Sequence, residues 1–211
     1  MFQLKDIIAK DIFAIENLTL KEDIIAIIGQ SGSGKSTLLR LLNNLDDATS
    51  GTILFNDKNL TEYSPQYLRR KIVMVPQSSV IFDGTIRKNL LIGLKLSKQK
   101  LVEDQTLIDM LQTFLIDKTL DTSASELSGG EQQRLTLARV LLMTQAEVFL
   151  LDEPTSDLDD ETTEHVMGKL FKVAKENQQK IIMITHNKQV AEKYANKMIN
   201  MDDYNGNLES S

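Results

Sequence analysis

The chain has 211 residues, 41% apolar and 26% charged, a balance that suits a globular fold with one sizeable core. Its net charge of -6 argues against a phosphate-tracking surface, so nucleic acid is not an expected partner. It contains no cysteine, which excludes disulfides and thiolate metal sites and fits a reducing compartment. The opening MFQLKDIIAKD carries early acids and no long apolar region, unlike a secretory signal. No apolar run approaches the roughly 20 residues that span a bilayer. The chain is therefore expected to be soluble, with any membrane role arising through a partner.

In chain order, IIAIIG (24–29) is a β-branched run of the kind expected for a strand buried on both faces. A glycine-rich turn follows, and then STLLRLLNNL, where Leu38, Leu41, Leu42 and Leu45 share one helical face. TILFND and KIVMVPQ read as further strands, with SPQYLRR a short helix between them. From about residue 78 to 134 strand signals fade, and TIRKNLLIGL and TLIDMLQTFLI read as helices of an inserted subdomain. EVFLLDE and KIIMITHN restore the strands, separated by a helix on which Val166, Leu170 and Val173 share a face. This alternation predicts an α/β fold with a mainly parallel sheet. The expected organisation is one domain over 1–211, with a core at about 1–77 and 135–211 and a helical subdomain at about 78–134. The tail DDYNGNLESS is too short for a further domain.

The turn GQSGSGKST (29–37) matches G-x-x-x-x-G-K-[ST] between a strand and a helix, the context that pattern requires. Gly29, Gln30, Ser31, Gly32, Ser33 and Gly34 offer a backbone that can wrap phosphates, and the helix behind adds the positive end of its dipole. Lys35 is expected to reach the β and γ phosphates, Ser36 to give Mg²⁺ a hydroxyl, and Thr37 to complete the cradle. Kinases, GTPases and mechanical ATPases share this motif. A guanine reader usually carries N-K-x-D after a late strand, and THNKQV has Val190 where the aspartate belongs.

VFLLDEP puts Asp152 and Glu153 at the end of an apolar strand, where adjacent acids are costly unless they hold a cation or poise a proton. Asp152 is assigned to Mg²⁺ and Glu153 to activation of the attacking water. LSGGEQQR (127–134) reads as a capping box, Ser128 with Glu131, behind Gly129 and Gly130. A capped helix behind two glycines also offers N–H groups to an anion. Two such termini in one chain suggest phosphate surfaces that meet when two chains associate.

With these motifs in place the sequence resembles the ATP-binding subunits of ABC transporters over nearly its whole length. GQSGSGKST looks like their Walker A loop, VFLLDE like their Walker B strand and LSGGEQQR like their signature. Gln77 stands at the Q-loop glutamine, Ser156–Asp159 at the D-loop and His186 at the switch histidine.

The resemblance implies a P-loop NTPase (RecA-like) fold, with helices on both faces of the sheet, the helical subdomain and a small N-terminal β region. It also implies ATP and Mg²⁺ as cofactors, with Gln77 joining Ser36 and Asp152 at the metal. Ser128, Gly129 and Gly130 would come from the partner chain of an ATP-dependent homodimer. A separate membrane permease and a cytoplasmic, peripheral position on the inner face of the cell membrane are implied too. SPQYLRRKIVMVPQSSVIFDGTIRKNLL looks more like exporters, and the whole resembles small bacterial subunits such as those of metal-ion (iron) export. Relatives in DNA repair or translation usually carry a coiled-coil insertion or two cassettes, and a small-molecule kinase has no use for LSGGE. Where the family places an aromatic to stack on adenine, this chain has Ala9, with Phe13 the nearest aromatic. His165 fits no motif and is assigned to the surface or to packing.

Overall fold

The computed structural model describes residues 1–205. β1 (Phe2–Ala9) and β2 (Phe13–Leu20) form an antiparallel hairpin. Its turn is tight, with Lys10 and Asp11 both at positive φ and the Ile12 amide bonded back to the Ala9 carbonyl. β3 (Ile24–Ile28) then leads through the glycine-rich turn into α1 (Lys35–Leu42). β4 (Ser50–Phe55) and β5 (Lys58–Asn59) join the first hairpin in one antiparallel sheet, ordered β2-β1-β4-β5. TILFND is thus a strand, but it belongs to the N-terminal sheet.

α2 (Pro65–Lys71) starts on a Ser64 side-chain cap with proline in its first turn, and β6 (Ile72–Val75) follows directly. Then come α3 (Ile86–Leu96), α4 (Asp104–Thr113) and α5 (Gly129–Leu141), with no strand of three or more residues from 76 to 147. α5 runs across position 134, from the LSGGE start into the core. β7 (Val148–Asp152), α6 (Asp160–Glu176), β8 (Lys180–Ile184), α7 (Lys188–Tyr194), β9 (Lys197–Asn200) and the short α8 (Asp202–Asn205) complete the described chain. The rest of the tail, 206–211, lies outside the described residues.

The second sheet has the order β6-β7-β8-β3-β9, and every pairing in it is parallel. Its central strands β7 and β8 are buried on both faces, and the two-residue period decides which side each residue serves. Val148, Leu150, Ile182, Ile184, Ile25 and Ile27 face α1, α2 and the antiparallel sheet. Phe149, Leu151, Ile181, Met183 and Ala26 face α3 to α7. A fully buried leucine or isoleucine contributes about 1.5–3 kcal/mol of burial, so these strand ends are rigid mounts for what they carry. Asp152 and Glu153 sit at such an end.

The α1 periodicity stops earlier than the leucine spacing implies. Leu38, Leu41 and Leu42 are buried, but Leu45 is 46% exposed. Asn43 caps the helix and Asn44 takes φ 52°, turning the chain before Leu45 can rejoin the apolar face. On α6, Val166 and Leu170 are buried and Val173 packs against them from a half-buried position.

Candidate active site

The loop 29–34 takes its shape from glycines whose conformation other residues resist. Gly34 has φ 89°, and a Cβ there would lie 2.5 Å from the Phe13 ring, so the loop can close on β2 only with hydrogen at this position. α1 starts immediately behind, and among the described residues no side chain caps its first amides. Those N–H groups remain available to an anion, and the helix dipole favours one. Lys35 is only 7% exposed, and its Nζ donates to the Gly29 and Gln30 carbonyls at 2.9 and 2.7 Å. The ammonium is folded across the loop mouth on two neutral acceptors, which a phosphate's negative oxygens can outcompete.

Asp152 ends β7 at 6% exposure, and its Oδ1 has no hydrogen-bond partner among the described residues. Burial pushes this carboxyl above the ordinary aspartate range and the neighbouring Glu153 charge adds to the push, against the pull of the Ser36 hydroxyl and Lys35. A buried, unpaired carboxylate oxygen beside a serine hydroxyl and a phosphate loop is a donor set of the hard-oxygen kind that Mg²⁺ prefers. The residues therefore fit the ion.

Glu153 has φ 47°, a conformation that costs a non-glycine residue roughly 1 kcal/mol or more. Its amide bonds to the Ile184 carbonyl, which fixes that turn against β8. The turn aims the carboxylate at two partners. Gln77 Nε2 donates to Oε2 at 3.0 Å, and His186 Nε2 lies 2.9 Å from Oε1. Each carboxylate oxygen keeps acceptor capacity for a further proton donor. A polar cleft of about 100 Å³ opens beside Glu153 and His186 and is also lined by Ser156, Asp160 and Thr185. The structure thus brings together Gln77, Glu153 and His186 from three separate chain segments, next to Asp152 and the loop.

Ser128, Gly129 and Gly130 stand apart from that group. Ser128 Oγ caps the Glu131 amide, and the Glu131 carboxylate returns to the Ser128 amide at 2.9 Å, a complete capping box. Among the described residues no hydrogen bond joins these three to the loop 29–37. The aromatic question is answered by burial: Phe13 is 0% exposed beneath Gly34, and Ala9 is buried beside it in the hairpin. Neither presents a face to a base. His165 is exposed on α6, with Nε2 3.2 Å from the Thr113 carbonyl at the end of α4.

Two further residues are tied to the site without having been singled out as site residues from the sequence. Gln133, buried on α5, donates to Ser156 Oγ at 3.1 Å and accepts from the Asp157 amide at 3.1 Å, tying the LSGGE helix to the SDLD turn. Arg139, also on α5 and 7% exposed, donates to the Val80 carbonyl and to Asn89, with its guanidinium 5.1 Å over the Phe82 ring. Among the described residues no acid pairs with it, and burial pushes its pKa down to about 10. It fastens α5 to the segment that follows Gln77. The only hint in sequence was a glutamine and an arginine set among apolar residues on one helix.

Residues 16–156 match the family described as ABC transporter. The methionine import ATP-binding protein MetN 1 of Bacillus thuringiensis subsp. konkukian is 37% identical over 201 residues, which cover 92% of this chain. The chain spans 59% of the length of that relative. The lipoprotein-releasing system ATP-binding protein LolD of Rickettsia felis is 38% identical over 181 residues, 84% of this chain and 80% of LolD. Among solved structures, the dimeric post-hydrolysis state of the ATP-binding cassette MJ0796 bound to ADP and Pi superposes with a TM-score of 0.83 at 26% identity. That match covers 98% of this chain and 95% of the other. The parallel sheet with helices on both faces is accordingly the P-loop ATPase fold. On the sequence match, the superposition and the shared fold, this chain belongs to the ABC transporter family, among its ATP-binding domains.

Proposed function

We propose that the chain is an ATP hydrolase that works as an ATP-bridged homodimer and powers movement of a substrate through a separate membrane permease. The observation that carries this reading is the Gln77–Glu153–His186 cluster beside the phosphate loop. Such a cluster suits water as the acceptor of a phosphoryl group. Glu153 takes the proton of the attacking water as that water's oxygen bonds to the γ-phosphorus and the bond from phosphorus to the β–γ bridging oxygen breaks, which leaves ADP and inorganic phosphate. His186, bonded to Oε1, and Gln77, bonded to Oε2, hold the carboxylate in line. Lys35 leaves the Gly29 and Gln30 carbonyls to neutralise the β and γ phosphate oxygens, and the free amides of α1 share that charge. Ser36, Asp152 and Gln77 would hold Mg²⁺, which when bound would supply neutralisation of phosphate charge.

Ser128, Gly129 and Gly130 of one chain complete the site of the other. Their separation from their own loop supports that assignment, as does the dimeric state named for the superposed cassette. Loss of the γ-phosphate would remove the shared contact and let the halves part. Gln133 and Arg139 tie the shared helix to the SDLD turn and to the segment after Gln77, a route by which closure can pull on a docked permease. No described helix is long and apolar enough to cross a membrane, consistent with a separate permease and a peripheral position on the cytoplasmic face. The exporter-like segment 64–91 supports outward transport.

The test is the initial rate of ATP hydrolysis against protein concentration. A dimeric site gives a rate that rises more steeply than linearly, and Ser128→Arg abolishes it while leaving nucleotide binding at Lys35 intact. A linear rate with fully active Ser128→Arg would mean monomeric catalysis and would refute the proposal.

A further inference from the structure

The phosphate loop is held from behind by the last described segment of the chain, through contacts at both of its ends. At the loop's entry the Gln30 amide donates to the Asp202 carboxylate, at 3.0 Å to Oδ1 and 3.2 Å to Oδ2. At its exit the Nδ2 of Asn205, oriented as its neighbours require, lies 3.2 Å from the Ser33 carbonyl and 3.3 Å from the carbonyls of Ile12 and Met201. Asn200 supports the arrangement by accepting from the Asp202 amide at 3.2 Å, while Met201 bonds back to the Ile28 carbonyl at 2.8 Å. The packing is close: a Cβ on Gly29 would fall 3.1 Å from Asp202 Oδ1 and 3.3 Å from Asn200 Oδ1.

The placement of an acid here needs a reason. A carboxylate behind an anion cradle repels the anion, and the hydrogen bond to Gln30 must outweigh that repulsion. Both neighbours of the Gln30 peptide are pinned when Asp202 is present. Its N–H is taken by the carboxylate, and its carbonyl by Lys35 Nζ and the Ser33 amide. When phosphate draws Lys35 away from that carbonyl, Asp202 remains the principal side-chain tether at the loop's entry. A loop rich in glycine and serine has much conformational entropy to lose on binding, and a tether removes part of that cost in advance.

We infer that residues 200–205 form a strap that pre-shapes the phosphate loop, with Asp202 and Asn205 as positioning residues for nucleotide binding. The inference rests on the ATP-hydrolase reading for its kinetic consequence, but its structural consequence stands alone. In the nucleotide-free chain, hydrogen exchange at the Gln30 amide should quicken about tenfold or more in Asp202→Ala, while the amides of β3 keep wild-type protection. In steady-state assays Asp202→Ala should raise the KM for MgATP about tenfold with kcat within about twofold, the scale of losing one charge-assisted hydrogen bond. Asp202→Asn keeps an acceptor oxygen and should stay within about threefold of wild type in both readouts. Asn205→Ala should shift KM in the same direction by less.

Unchanged Gln30 exchange in Asp202→Ala would overturn the strap. So would tighter MgATP binding, because the carboxylate's charge would then outweigh its hydrogen bond. Asp202→Asn failing as badly as alanine would likewise exclude the acceptor role. If wild type itself hydrolyses no ATP while Gln30 exchange responds as stated, the hydrolase reading fails and the strap survives.

Discussion

Asp152→Asn separates the cost of the site from its use. The carboxylate is 6% exposed, and its Oδ1 has no partner among the described residues. Burial raises its pKa, so in the window between the ordinary carboxylate range and its raised folded value it holds more protons folded than unfolded. Stability from this group therefore falls as pH rises through that window, and the full cost persists above it. Asparagine keeps the shape and removes the charge. Relief of an unsatisfied buried carboxylate oxygen is worth about 1–2 kcal/mol, which in a chain of this length raises Tm by roughly 2–8 °C. Thermal unfolding of nucleotide-free protein in EDTA reads this directly. At pH 8 the variant should melt above wild type, and the gap should narrow as pH falls through the window in which the buried carboxyl takes up its proton. Hydrolysis by the variant should be lost at all MgCl₂ concentrations. A variant that melts at or below wild type, with a parallel pH profile, would refute the argument that Asp152 is held at a cost for a cation.

Other substitutions test separate links. Phe13→Ala should act as a core truncation, costing about 3–5 kcal/mol, and should leave the ratio of ATP to GTP affinity unchanged; urea unfolding and nucleotide competition measure the two effects. With neither Phe13 nor Ala9 offering a face to the base, GTP should compete within roughly tenfold of ATP, and a far larger preference for ATP would point to an adenine contact elsewhere. Gly34→Ala must move the Phe13 ring, since its Cβ would sit 2.5 Å away, and should abolish nucleotide binding measured by fluorescent-analogue titration. Arg139→Met removes three hydrogen bonds between α5 and residues 80–89 and should lower kcat more than it raises KM. Arg139→Lys should restore only part of that loss, because an ammonium cannot reproduce the guanidinium fork.

Much of the fold was legible because the signals were local. The IIAIIG and VFLLD runs read as buried strands from β-branching and length alone, and the capping box at Ser128 followed from a three-residue spacing. What sequence periodicity does not carry is partner choice between strands. TILFND has strand chemistry, yet only the three-dimensional pairing with β1 shows that it joins the antiparallel sheet. Leu45 kept the helical period but lost the helix, since Asn44 in a left-handed conformation overrides spacing. At the site, Lys35, Ser36, Asp152 and Glu153 announced themselves by motif. The hydrogen bonds of Gln77 and His186 to Glu153 are contacts across 76 and 33 residues, and only folding brings them together. Gln133, Arg139 and Asp202 act on distant segments, so local spacing gave no sign of the contacts they make.

The most direct test of the central claim uses Glu153→Gln, which keeps a hydrogen-bonding side chain but cannot take the water's proton. Turnover should fall roughly 10²-fold or more, the scale for losing a general base, while MgATP binding persists. Light scattering of this variant should then give the mass of a single chain without nucleotide and twice that mass with MgATP. A variant that hydrolyses ATP at near-normal rate, or that binds MgATP and remains a single chain, would contradict the account.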